Sequence, residues 1–405
     1  MKKKNFSTSG FSKIEKRDSD LESLLHSEHV VHIEKMAIGG NGVARIQYKE
    51  KSLVVFVERV APHEKAKIKI TAIEKSFLKA DLIEVLTPSP FRRLAPCIYF
   101  ASCGGCSWQH FSEDEQLRQK ENILNELLRK FLPQSTYHLE SSVASDLTFN
   151  YRNRIQLKQL NNKLGYFQKN THDIVDIDAC LIADSKISEQ IPILKSKLKP
   201  TAEIRKYELR LNQEHKFESY RIGDSGEGLA FSQVNNAVNA KLVQAVVEIV
   251  SAENPDFLSE LYAGSGNFTF SLSTQLKNLK IESAELNSEL TTYAVKQIFK
   301  LNLQKRLLSF TADCDDFVQR RPLSNEFILL DPPRAGCSEI VVQKVAESGA
   351  KNLIYISCHP VNLARDLKRL LAIESKYKIK RLQVFDMFPQ TDHFETLVWL
   401  SLNES

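Results

Sequence analysis

From Phe257 onward the chain follows a rhythm that few folds can accommodate. Short apolar runs alternate with segments of helical periodicity. The runs FLSELYAG, IESAELN, LLSFTADC, EFILLDPPR and NLIYISC come in succession, and RLQVFDMFP and FETLVWLSL follow as a final pair. Strands separated by helices bury both faces of a mostly parallel sheet, so the pattern predicts a doubly wound α/β domain ending in a strand pair. Ligands of such sheets bind at the carboxyl ends of the strands. The residues that end the runs are therefore where chemistry is expected.

The first run leads into Tyr262-Ala263-Gly264-Ser265-Gly266-Asn267. Glycines there let a ligand approach the backbone closely. A tight strand-to-helix turn with no ligand fits the same residues, because a lone G-x-G is weak evidence. Glu285 ends the second run about 20 residues on, where an acid can bind ribose hydroxyls. Together they suggest an adenosine-type ligand, either a dinucleotide or S-adenosylmethionine. The run FILL delivers Asp331, and Pro332-Pro333 stiffens the exit towards Arg334. NLIYIS delivers Cys358, placed as a nucleophile would be, although a cysteine by itself reads more readily as a small buried hydrophobe. Cys314 and Cys337 read as small buried hydrophobes. Glu395, in Asp392-His393-Phe394-Glu395, opens the last run, where it can accept a proton or simply face solvent.

The front of the chain has another texture. Residues 1–29 read as a flexible basic tail. Residues 30–87 hold short alternating strands broken by Gly39-Gly40 and Asn41-Gly42, which predicts an OB-like β-barrel. Residues 88–230 form a central segment with a helix over 113–131 and mostly strands after 150. A helix near Asn236 opens the last domain, residues 231–405.

Three of the seven cysteines, Cys97, Cys103 and Cys106, fall within ten residues; Cys180 lies further on. No secretory leader is apparent, so a cytoplasmic location is expected, and a tight cysteine cluster then points to a metal rather than to disulfides. Zinc and iron–sulfur both remain open on the residues alone. No apolar run reaches the roughly 20 residues of a membrane span. The net charge of +5 permits a nucleic-acid partner without requiring one.

ELYAGSGNFTF, FILLDPPRAGC, YISCHPVNLARDL and DMFPQTDHFETLVWL, occurring in this order, resemble the RNA uracil-5-methyltransferases, and AFSQVNNAVNAKL resembles the segment that enters their catalytic domain. Residues 30–87 resemble the TRAM barrel of one branch. CIYFASCGGCSWQH, with Cys180 in DIVDIDACLIAD, resembles its iron–sulfur segment. The resemblance implies a Rossmann-like class I methyltransferase domain, an N-terminal OB-like TRAM barrel and a small central α+β iron–sulfur domain. It implies Cys358 as nucleophile and Glu395 as base. Gln233, Tyr262, Gly264, Glu285 and Asp331 are implied as contacts of S-adenosylmethionine, and Cys97, Cys103, Cys106 and Cys180 as ligands of a [4Fe–4S] cluster. The implied substrate is a single-stranded or flipped-out uridine in RNA, 23S rRNA before tRNA, methylated by a monomer. One departure is His359, where the pattern usually has Asn before the Pro.

Chemically, the two residues fit one cycle. A thiolate adding to carbon 6 of uracil makes carbon 5 nucleophilic; after methylation a base must remove the carbon-5 proton so that the thiolate can leave. Two other functions compete. An inactive RNA-binding protein would have no need of both Cys358 and Glu395. A dinucleotide oxidoreductase would normally carry a third glycine, where this turn reads Gly-Ser-Gly-Asn-Phe-Thr.

Overall fold

The structure is a computed structural model that describes residues 21–212, 214–223 and 233–402. Residues 1–20 of the expected basic tail lie outside the described residues. The described chain opens with a 3-10 turn over Leu21–Leu24. It divides into two compact units, one comprising residues up to Ala37 and Asn41–Arg92, the other Ile38–Gly40 and Arg93 onward.

The first unit is a six-stranded sheet of β1 (Glu28–His32), β2 (Lys35–Met36), β3 (Gly42–Tyr48), β4 (Lys51–Val57), β5 (Lys65–Ile73) and β6 (Leu78–Thr87), in the order β1-β5-β6-β4-β3-β2. Alternation explains its core: in β5, Ala66, Ile68 and Ile70 point inward and are fully buried, whereas Lys65 and Lys69 point out. Val31, Ile33, Ile46, Val55 and Val57 complete the interior. Glu64 is fully buried, but Arg92 and the Ala61 N–H (2.8 Å) satisfy its carboxylate.

The second unit begins with the predicted helix, α1 (Glu113–Phe131). A five-stranded antiparallel sheet follows, formed by β7 (Arg154–Asn161), β8 (Lys163–Phe167) and β9 (Ile174–Asp176), then β10 (Thr201–Leu211) and β11 (Phe217–Arg221), in the order β11-β10-β7-β8-β9. Two short helices, α2 (Ser185–Ser188) and α3 (Gln190–Lys197), interrupt what reads in sequence as mostly strand. Asp184 caps the first of them, its carboxylate accepting the Lys186 N–H at 2.9 Å.

The same unit contains the doubly wound sheet: α4 (Asn236–Glu253), β12 (Phe257–Leu261), α5 (Asn267–Gln275), β13 (Lys280–Glu285), α6 (Ser288–Lys300), β14 (Leu307–Thr311), α7 (Cys314–Arg320), β15 (Phe327–Leu330), α8 (Glu339–Glu347), β16 (Asn352–Ser357), α9 (Pro360–Ile373), β17 (Tyr377–Phe385) and β18 (Glu395–Leu402). The strand order is β14-β13-β12-β15-β16-β18-β17; the first five strands are parallel, and β18 runs antiparallel to both its neighbours. Every residue of β15 and β16 is buried, as expected of interior parallel strands covered on both faces. Among the described residues, no helix is long and apolar enough to cross a membrane.

Candidate active site

The carboxyl ends of β12, β15 and β16 lie side by side, because Leu261 pairs with Leu330 and Leu330 with Tyr355. Tyr262 and Asp331 thus leave adjacent strands together, and the Asp331 N–H donates to the Leu261 carbonyl at 3.3 Å. The antiparallel partner of β16 completes the arrangement. Ser357 pairs with Thr396, so Cys358 and Glu395, one residue beyond that pair on each strand, are brought together at the same edge.

Their electrostatics follow from burial. Cys358 is partly buried, and its thiol is pushed up to about 12, chiefly by desolvation and then by the charges of Glu395 and Asp331. Glu395 is 4% exposed, and burial, followed by Asp331, raises its carboxyl well above the usual range. Burial also raises Asp331 to about 7. Arg334 acts in the opposite sense on both Cys358 and Glu395. It is the fourth residue of Asp-Pro-Pro-Arg and is not among those the sequence singles out. The Asn362 amide holds its carbonyl at 2.6 Å. The site therefore holds three acids that resist ionising together and one guanidinium that relieves them.

His359 stands immediately before α9. Its Nδ1 accepts the Asn362 N–H at 3.4 Å and caps α9, with Pro360 at the first helical position. Burial, Arg334 and Arg365 lower its pKa, which favours the neutral ring that capping requires.

The turn after β12 is built to receive a ligand. Tyr262 has φ of 63° and Gly264 φ of 57°, both left-handed. A Cβ on Gly264 would meet nothing within 4 Å, which leaves open space over the backbone. Glu285 reaches into this turn and accepts the Gly264 N–H at 3.0 Å and the Asn287 N–H at 2.7 Å. Gln233 lies three residues before α4, and its carbonyl accepts from the Asn153 amide at 2.8 Å. Asn239 of α4 and Asn267 of the turn exchange side-chain hydrogen bonds at 2.9 and 3.0 Å, joining these two segments.

Sequence reasoning misses the loop that presents Glu395. Gln390 is fully buried, with φ of 68°, and its carbonyl accepts from the N–H groups of Ser107 and Trp108 at 3.1 and 3.0 Å. Its side chain contacts Arg93, Glu113 and Gln116. Asp392 binds the Ser107 hydroxyl at 3.0 Å and the Gly39 N–H at 2.7 Å. The Phe-Pro-Gln-Thr-Asp-His run was the available signal, but polar residues before a strand ordinarily read as a solvated turn.

Cys97, Cys103, Cys106 and Cys180 line one largely apolar pocket with Tyr99, Phe100, Tyr166, Ile177 and Ile182. Cys103 forms a bridge with Gln168, and the Gly104 N–H donates to the Phe167 carbonyl at 3.0 Å, so the cysteine loop lies against the end of β8. Burial raises Cys103 to about 11 and Cys106 to about 12. Among the described residues, no three or more His, Cys, Asp or Glu side chains are grouped so as to hold a single metal ion. Cys314 and Cys337 are buried, as expected of small hydrophobes.

Comparison with known proteins accords with this geometry. Residues 207–403 match the family described as tRNA (Uracil-5-)-methyltransferase, and residues 26–83 match the TRAM domain. An uncharacterised RNA methyltransferase of Bdellovibrio bacteriovorus is 38% identical over 94% of this chain and 96% of its own. The 23S rRNA (uracil(1939)-C(5))-methyltransferase RlmD of Pasteurella multocida is 28% identical over 91% of this chain and 95% of its own. The crystal structure of Pyrococcus abyssi tRNA (uracil-54, C5)-methyltransferase in complex with S-adenosyl-L-homocysteine superposes with a TM-score of 0.69 at 20% identity, covering 92% of this chain and all of that one. With Cys358 and Glu395 at one strand edge and relatives matched over almost their whole length, the chain belongs to the RNA uracil-5-methyltransferase family.

Proposed function

We propose that the protein transfers a methyl group from S-adenosylmethionine to carbon 5 of a uridine in RNA, with Cys358 as nucleophile and Glu395 as base. The observation that carries this reading is the β16–β18 register, which leaves a thiol and a buried carboxyl adjacent beyond the last strand pair. Gln233, Tyr262, Gly264, Glu285 and Asp331 hold the cofactor; the uncrowded face of Gly264 and the Glu285 carboxylate beside it suit a ligand bearing a ribose. When bound, S-adenosylmethionine supplies an electrophilic methyl group on a sulfonium.

The chain's own residues account for the remaining steps. Cys358 loses its proton and its sulfur bonds to carbon 6 of the uracil. The electron pair of the 5,6 double bond moves towards carbon 5 and the adjacent carbonyl. After methylation, the carboxylate of Glu395 takes the carbon-5 proton, the double bond re-forms, and the carbon–sulfur bond breaks. A carboxyl with a raised pKa is a stronger base once ionised, which suits this step. A stacked base cannot enter such a site, so the uridine is single-stranded or flipped out.

The names of the relatives favour 23S rRNA as substrate, with tRNA as the second reading from the archaeal enzyme. Cys97, Cys103, Cys106 and Cys180 hold a [4Fe–4S] cluster. What supports the reading is that Cys180, distant in sequence from the other three, lines one pocket with them. The cluster has a positioning role, since the transfer consumes no electrons.

The test uses an RNA substrate and denaturing gels. Glu395→Gln should accumulate a covalent protein–RNA complex, and Cys358→Ala should neither methylate nor trap. With 5-fluorouridine RNA the wild type should trap too, faster as pH rises, because its thiol lies up at about 12. Wild-type methylation by Cys358→Ala would overturn the assignment.

A further inference from the structure

The outward face of the central sheet carries an arrangement that the methyl transfer leaves unexplained. Residues two apart on a strand share a face. Three successive rungs between β7 and β10 are Arg154 with Arg210, Gln156 with Glu208 and Lys158 with Lys206. The alternate residues Ile155, Leu157 and Gln159 of β7 are buried, so Arg154, Gln156 and Lys158 point away from the core. The middle rung is a hydrogen bond, Gln156 amide to Glu208 carboxylate at 3.0 Å. The outer two set like charges directly opposite one another, which destabilises a sheet.

The two basic rungs differ. Arg210 shares its charge with Glu218 of β11 at 3.0 Å, and burial lowers the Arg154 pKa while Glu208 opposes that shift. At the other rung Lys206 is exposed and opposes the charge of Lys158. The Lys158 ammonium lies 5.6 Å from the centre of the Phe167 ring and 5.9 Å from that of Tyr166. Phe167 is only partly buried and can offer a stacking surface. From Arg154 to Lys158 the face spans about 13 Å.

We propose that this face, centred on Lys158 and Lys206 with Phe167 beside them, is the track that receives the RNA backbone flanking the target uridine. The proposal rests on the RNA-methylating function proposed above. A polyanion is the partner that turns the opposed lysines from a repulsive pair into a shared phosphate site. An aromatic ring alongside fits an unstacked base.

The double variant Lys158→Gln/Lys206→Gln tests it. Removing the repulsion leaves the fold intact, so the thermal midpoint should not fall and S-adenosylmethionine binding should not change. Affinity for in-vitro-transcribed 23S rRNA should drop about tenfold at 0.15 M salt, and the slope of log affinity against log salt should shrink by about 1.4, for two contacts at about 0.7 each. Unchanged affinity and slope in a variant that still methylates would overturn the track while leaving the function standing. The expected losses, in a protein whose wild type modifies no uridine, would keep the track and overturn the function. Absence of RNA binding by the wild type would overturn both.

Discussion

Asp331 illustrates how a single partly buried acid sets a trade between stability and chemistry. Its carboxyl is raised from the ordinary 3.8 to about 7 by desolvation. A raised acid binds more protons folded than unfolded, so its contribution is fully present below about pH 4 and is lost as pH rises to about 7. Asp331→Asn should therefore melt higher than wild type at pH 8 in the ligand-free protein, and the gap should close towards pH 4. A gap independent of pH would mean that the carboxyl is not desolvated. Activity should fall in the same variant, since Asp331 flanks both Cys358 and the turn after β12. The placement of Cys358, Asp331 and Glu395 at strand ends was legible because each ends or begins an apolar run; the roles proposed for them came from the resemblance. Arg334 was not singled out, because a surface arginine after two prolines has no pattern of its own. Its role depends on the Asn362 amide that binds its carbonyl from α9, a contact between residues 28 apart.

At the scale of elements, α9 shows how a histidine can serve as a helix cap. His359 caps the helix through Nδ1, and the cap requires a neutral ring. His359→Ala should cost about 1 kcal/mol at pH 7, and His359→Asn should cost little. Because the folded protein lowers the His359 pKa, the unfolded chain binds the proton better, and this part of the stability is lost as pH falls below about 6.5. His359→Asn should accordingly gain on wild type between pH 7 and pH 5 in thermal melts. Parallel behaviour of the two proteins over that range would refute the neutral cap. The alternation of the last third was readable because parallel interior strands must be apolar on both faces, as β15 and β16 are. Helices α2 and α3 were not, because four and eight residues give too little periodicity to stand out within a strand-rich segment. The link from Gln390 to Trp108 was equally hidden: backbone N–H groups from a segment 282 residues earlier carry no side-chain pattern.

In the second compact unit the cysteine pocket and Glu395 are joined by a short physical path. Cys106 is followed by Ser107, whose N–H and hydroxyl bind Gln390 and Asp392 at 3.1 and 3.0 Å. Glu395 begins β18 three residues later. The buried ion pair of Lys120 and Asp386, at 2.6 Å, and the fully buried Trp108 hold the same region together. A cluster bound by Cys97, Cys103, Cys106 and Cys180 would tie this loop to the strand ends beside Cys180. Without it, four thiols, three of them only partly buried, line one apolar pocket and the loop loses a cross-link. Anaerobically purified protein should be brown with about four irons per chain. After chelation, S-adenosylmethionine affinity should change little, because the turn after β12 rests on the sheet. The rate of methylation should fall, and the covalent RNA complex should persist longer in the chelated wild type, because Glu395 would then be less firmly placed to take the carbon-5 proton. Hydrogen exchange should quicken first across residues 97–108 and 386–395. Loss of cofactor binding in step with iron would show that the pocket supports the whole unit rather than the loop; colourless protein with one bound zinc would remove the cluster altogether.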